Sequence, residues 1–164
     1  MTKTAAILLT GGRIKDKERA EWSSLLPADC NNRVMVDLAG KPMFEYVADA
    51  IIDADIELII AGDVPYQGNY TRVDAGTSLV DTLLSGIASV SESINQVLVV
   101  TADIPFITAS GIKAILGNAP QADFVYTIIP MDLCRTRFPD AKRTSLRTAD
   151  GEFTGGNIVL INPQ

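Results

Sequence analysis

The feature that most constrains this chain is its alternation of short, uninterrupted apolar runs with stretches of helical periodicity. Runs at residues 5–9, 56–61, 97–101, 124–129 and 158–161 are continuous in apolar character, as strands buried on both faces require. Between them, Phe44, Val47, Ala48 and Ile51 repeat at helical spacing within residues 42–54, while Glu45, Asp49 and Asp53 share the opposite face. Pro42 sits at a suitable first-turn position. In residues 78–90, Leu79, Leu83 and Ile87 form one stripe, with Thr77 or Ser78 as the expected N-cap. Residues 109–117 turn Ile112, Ile115 and Leu116 inward, between a Thr108 cap and a closing Gly117. This order predicts one domain over residues 1–164, a three-layer α/β/α sandwich on a mostly parallel sheet with right-handed crossovers. Residues 11–36 and 130–156 are left as long polar connections, a length that is usually functional or disordered.

Composition limits the chemistry such a domain can perform. The 164 residues include no His, which excludes a Ser-His-Asp or Cys-His nucleophile, His-ligated zinc and an imidazole base. Carboxylates, Lys and Arg, backbone amides, hydroxyls and a hard metal ion remain. The formal net charge of −6 argues against a nucleic-acid-coating protein. Basic residues gather towards the ends of the chain: residues 1–41 hold seven, residues 42–134 only two and residues 135–164 five. Such a distribution either focuses a small anion into one cleft or decorates the surface unevenly. Cys30 and Cys134 have neither CxxC spacing nor His partners, so a zinc site is not expected and the thiols suit a reducing compartment. The run at residues 5–9 is too short for a membrane span and precedes no small-residue cleavage site. The expected location is the cytoplasm, without membrane or nucleic-acid partners.

Three local motifs carry possible chemistry. Directly after the first strand stands Leu9-Thr10-Gly11-Gly12-Arg13-Ile14-Lys15, where paired glycines let backbone approach a phosphate and the cations clamp it. The plainer alternative is a glycine turn leaving a strand. Neither GxGxxG nor GxxxxGK[ST] is present, and Gly40-Lys41 is followed by Pro42. Asp103, after the apolar run ending at Thr101, stands where a carboxylate ligates Mg2+ on bound phosphates, or simply caps a turn. Asp63 has the same position after its own strand but no supporting residues. Gly155-Gly156-Asn157 leads into the last run, either as room for a ligand with an Asn amide beside it or as a turn or bulge.

In this order the motifs resemble those of MobA-like nucleotidyltransferases, within the group that has the nucleotide-diphospho-sugar transferase, GT-A-like fold. The matching segments are Leu9-Thr10-Gly11-Gly12-Arg13, Asn32-Arg33-Val34-Met35, Ala39-Gly40-Lys41-Pro42-Met43, Gly76-Thr77-Ser78-Leu79, Asp103-Ile104-Pro105 and Gly155-Gly156-Asn157-Ile158. The resemblance implies transfer of a nucleotidyl group from an NTP of unspecified base to a phosphorylated acceptor, with release of pyrophosphate. By the same likeness, Gly11 and Gly12 cradle the triphosphate, and Arg13, Lys15 and Arg33 neutralise it. Leu9, Thr10, Gly76, Thr77, Ser78 and Asn157 complete the nucleotide and acceptor surroundings, and Asp103 holds Mg2+. In-line attack of this kind works by positioning and charge neutralisation and needs no His. Ile14 and Asp16 stand where the family has glycine and arginine, and Arg33 replaces a lysine. The family continues with further helix and usually another acidic ligand, so the chain ending at Gln164 is expected to be C-terminally truncated or reduced. A catalytically impaired nucleotide-binding or assembly module of the same fold is the alternative expectation. Oligomeric state is left open.

Overall fold

A computed structural model describes residues 3–163, with the side chains of residues 16–18 outside the description. The chain runs through β1 (Thr4–Leu9), α1 (Asp16–Trp22), β2 (Asp37–Leu38), β3 (Lys41–Pro42), α2 (Met43–Asp53), β4 (Glu57–Ala61) and β5 (Thr71–Val73). It continues through α3 (Leu79–Ala88), β6 (Gln96–Thr101), α4 (Ala109–Asn118), β7 (Phe124–Pro130), α5 (Met131–Arg137), β8 (Leu146–Thr148) and β9 (Gly151–Ile161). The main sheet has the order β5-β4-β1-β6-β9-β7. Strands β5, β4, β1 and β6 are parallel to one another, and β9 runs antiparallel between β6 and β7.

Burial explains why the apolar runs were legible. Along β1, Ala5 and Ile7 enter one core cluster while Ala6 and Leu8 enter the other, and all four are fully buried. Successive strand residues point to opposite faces, so a strand covered on both sides must be apolar throughout. The larger cluster takes Phe44, Val47 and Ile51 from α2 and Ile112 from α4; α3 covers the other face through Leu83 and Ile87. Fully burying each such large side chain contributes about 1.5–3 kcal/mol. The mostly parallel α/β/α sandwich is the arrangement the periodicity predicts.

Local chemistry sets the boundaries. Ala39 and Gly40 have φ of 57° and 88°, the left-handed pair that a two-residue hairpin between β2 and β3 needs. Pro42 is the N-cap of α2 rather than a first-turn residue, one position earlier than its sequence placed it. The caps of α3 and α4 are as expected: Ser78 Oγ accepts from Asp81 N at 3.1 Å and Thr108 Oγ1 from Gly111 N at 3.1 Å.

Three expectations are corrected. Of the α3 stripe, Leu83 and Ile87 pack on the core as expected, but Leu79 is 68% exposed, and the buried residues are Thr82 and Gly86. A Cβ on Gly86 would already lie 3.0 Å from the Ile7 side chain, so the helix meets β1 through its smallest residue. Strand β7 is not buried on both faces. Its exposure alternates, with Phe124, Tyr126 and Ile128 at least half exposed, so one of its two faces lies open. Finally, the supposed loops contain structure, namely α1 in residues 11–36 and α5 and β8 in residues 130–156, while Gly155-Gly156-Asn157 lies inside β9.

Candidate functional site

Strand β1 ends at Leu9, level with Ala61 of β4 and Thr101 of β6. Three neighbouring parallel strands therefore finish together, and ligands of open α/β sheets bind beyond such carboxyl ends. Thr10 is fully buried there, and both its N–H and its hydroxyl donate to Ala61 O, at 3.1 and 3.0 Å. Gly62 makes the room, since with φ of +136° a Cβ would sit 2.3 Å from Thr10 Oγ1. Thr10 thus fixes the loop to β4, and its hydroxyl is already used. Leu9 is half-buried in the core and its carbonyl accepts from Ala102 N at 3.2 Å.

Beyond Thr10 the loop is clasped by residues about twenty positions later. Ile14 N donates to Asn31 O at 3.1 Å and Arg33 N to Gly12 O at 2.7 Å. Asn32 Nδ2 donates to Thr10 O at 2.9 Å, while its Oδ1 accepts from Val34 N at 3.2 Å and caps the short turn Arg33–Met35. The sequence reading quoted Asn32 without giving it this task; a capping residue before a tight turn was the available signal. Gly11 and Gly12 do not have left-handed backbone. What they provide is space: a Cβ at Gly11 would meet nothing within 4 Å, and at Gly12 only Arg33 Cβ at 3.9 Å. Among the described residues no protein acceptor takes either amide. Ile14, set against a family glycine, is buried with ordinary backbone, so no glycine conformation is demanded there. The side chain of Asp16, the other departure, lies outside the described residues.

Across the rim from this loop, Arg33 Nη2 donates to Asp103 Oδ2 at 3.0 Å, and Thr101 Oγ1 to Asp103 Oδ1 at 2.7 Å. The loop after β1 and the residue after β6 are thereby joined through one guanidinium. Arg33 Nε is buried with no hydrogen-bond partner. No group of three or more His, Cys, Asp or Glu able to hold a metal occurs among the described residues. A caged protein metal site therefore does not fit. A Mg2+ that arrives on a triphosphate does, since that ion keeps several waters and takes only one or two carboxylates.

The other candidates lie along the same rim at different distances. Gly76, Thr77 and Ser78 follow β5, which lies two strands from β1. Their polar groups serve the start of α3: Gly76 N donates to Thr82 Oγ1 at 2.9 Å and Thr77 Oγ1 to Asp81 Oδ2 at 2.6 Å. The Thr77 hydroxyl first, then Ser78, hold the Asp81 carboxyl below its ordinary range. Asn157 precedes Ile158, the partner of Val100 in β6, and its φ of 61° coincides with a register shift between β7 and β9. Arg13 and Lys15 are exposed on the loop. Asp63 faces away to an ion pair with Arg72 at 3.0 Å.

The parallel strands, the reversed β9 and the glycine loop at the carboxyl rim are arranged as in the fold of solved nucleotidyltransferases. At the level of a particular protein, the chain is similar to a hypothetical transferase from Thermus thermophilus, with 31% identity and a TM-score of 0.83 over 99% of this chain. It spans 66% of that protein, just under two thirds. It also superposes on 4-diphosphocytidyl-2C-methyl-D-erythritol synthase from Anaerococcus prevotii, with 12% identity, a TM-score of 0.66 and coverage of 99% of this chain and 72% of that one. A nucleotidyl transferase from Methanothermobacter thermautotrophicus gives 16% identity and a TM-score of 0.65 over 98% of this chain and 72% of its own. No family model matches the chain, and no curated relative does. No helix among the described residues is long and apolar enough to cross a membrane.

Proposed function

We propose that this domain is a MobA-like nucleotidyltransferase that binds an NTP with Mg2+ and passes its nucleotidyl group to a phosphorylated acceptor. The observation that carries this reading is the convergence of the open Gly11-Gly12 backbone, Arg33 and Asp103 at the ends of the adjacent strands β1 and β6. Two unclaimed amides beside open space are suited to phosphate oxygens. Arg33, with Arg13 and Lys15 of the glycine loop it clasps, would supply positive charge where the triphosphate would lie. Asp103 would hold Mg2+, which when bound neutralises phosphate charge and orients the leaving pyrophosphate.

In the transfer itself an acceptor phosphate oxygen bonds to the α-phosphorus while the bond from that phosphorus to the bridging oxygen of the β-phosphate breaks. Pyrophosphate leaves with the electron pair. The chain's own residues would align the partners, with the unclaimed Gly11 and Gly12 amides and the Arg33 guanidinium available to the charge the reaction develops. Arg33 exchanges its carboxylate partner for phosphate when nucleotide enters.

Pyrophosphate release, measured with each NTP and Mg2+, tests the reading together with thermal stabilisation by the same nucleotides. That no group of three or more potential metal ligands occurs among the described residues favours a second reading, in which nucleotide binds without turnover. Stabilisation without pyrophosphate release, across a range of phosphorylated acceptors, would select it.

A further inference from the structure

Beside Asp103 lies a cavity of about 870 Å3 that the nucleotide reading does not use. Its floor is one face of the antiparallel pair β7 and β9, where Ile158 and Leu160 alternate with residues of the opposite face. Gly156 to Leu160 is five residues, four steps of the strand, so the floor extends roughly 13 Å along it. The stretch from Ile104 to Ile107 and Ile115 of α4 form the facing wall, and Phe106 and Phe138 stand exposed at the edge.

The polar groups of this cavity are nearly all committed. Thr127 Oγ1 donates to Ile158 O at 2.8 Å, and Asn118 Nδ2 to Ala114 O at 2.7 Å. Of its two charged groups, Asp103 is held by Arg33 and Thr101 at the nucleotide rim, and Arg143 has no carboxylate partner among the described residues. A polyhydroxylated ligand would find few free hydrogen-bond partners on this mostly apolar lining. An apolar body with one anionic end meets the lining it needs, and the volume falls in the range of small-molecule sites.

We propose that the cavity is the acceptor site, and that the acceptor is an amphiphilic monophosphate: an elongated apolar group on the β7–β9 floor, with its phosphate drawn by Arg143 to the rim at Asp103. This rests on the transfer reading above and names its acceptor class. The phosphate oxygen so placed is the one that bonds to the α-phosphorus as pyrophosphate departs.

The test is a titration of the full chain, without nucleotide, against n-alkyl monophosphates from ethyl to decyl, kept below micelle formation, with glucose 1-phosphate in parallel. Affinity is expected to rise with chain length by up to about fourfold per methylene until the cavity is full, while glucose 1-phosphate stays weak. Phe106→Ser and Phe138→Ser, both surface changes, should each reduce decyl phosphate affinity at least tenfold. Arg143→Gln should erase the preference for decyl phosphate over decanol. A flat chain-length series, a slope that survives all three substitutions, or tighter binding of the sugar phosphate overturns the proposal. If the alkyl phosphates behave as expected while no NTP binds, the amphiphile site stands and the transfer reading fails; NTP binding without alkyl phosphate binding gives the reverse.

Discussion

Arg33 meets two demands at once: its backbone closes the glycine loop through Gly12 O, and its guanidinium engages Asp103. The backbone bond survives side-chain substitution, so the two can be separated. The ion pair is partly open to solvent and contributes no more than about 1 kcal/mol. Arg33→Met should therefore change unfolding free energy by less than about 1 kcal/mol in a denaturant titration. The same change should weaken NTP binding about tenfold or more, the loss of one charge-assisted phosphate bond. Arg33→Lys should recover most of that affinity. Gly62 gives the opposite pattern. With a Cβ 2.3 Å from Thr10 Oγ1 and φ of +136°, Gly62→Ala should cost about 2 kcal/mol or more in stability and loosen the loop that Thr10 secures.

Elements show where sequence reasoning reaches its limit. Ser78→Ala should lower stability by about 1 kcal/mol, the usual loss of an N-cap, read by thermal or chemical unfolding. At α2, Tyr66 donates to Asp49 Oδ1 at 2.9 Å. Burial first, then this carboxylate, push the Tyr66 phenol well above its ordinary range. The folded state keeps this proton when the unfolded chain, with a tyrosine pKa near 10, has lost it. Stability from this group is therefore complete below about pH 10 and falls as pH rises through the alkaline range. Tyr66→Phe should flatten the fall in melting temperature between about pH 10 and 11.5 relative to the parent chain.

The strands and helices of the doubly covered centre were legible because both faces of β1, β4 and β6 are buried and their residues are apolar without interruption. Strand β7 is just as apolar, so nothing in its composition marks Phe124, Tyr126 and Ile128 as outward. Helix α1 is short and polar, and β8 pairs only with the start of β9; neither leaves a periodic signal. At the site, the glycine loop and Asp103 were visible as local motifs. The clasp from Asn31, Asn32 and Arg33 was not, because it pairs residues that only the fold brings together.

At the scale of the whole molecule, one rim serves two regions: the glycine loop and Arg33 on the β1 side, and the apolar cavity on the β9 side, with Asp103 between them. In the proposed reaction this arrangement would separate a polyanionic substrate from an apolar one while bringing their reactive ends together. Asp103 belongs to both, so its removal should affect the nucleotide through the metal. The most direct measurement is thermal stabilisation of the parent chain and of Asp103→Asn by ATP, GTP, CTP and UTP, each with and without Mg2+. At least one nucleotide should raise the melting temperature of the parent chain by several degrees, as expected from mass action at saturating ligand. That rise should require Mg2+ and should lose its Mg2+ dependence in the variant. If no nucleotide stabilises the parent chain, or if Asp103→Asn responds to Mg2+ and nucleotide as the parent does, the site described at this rim is not a nucleotide-metal site.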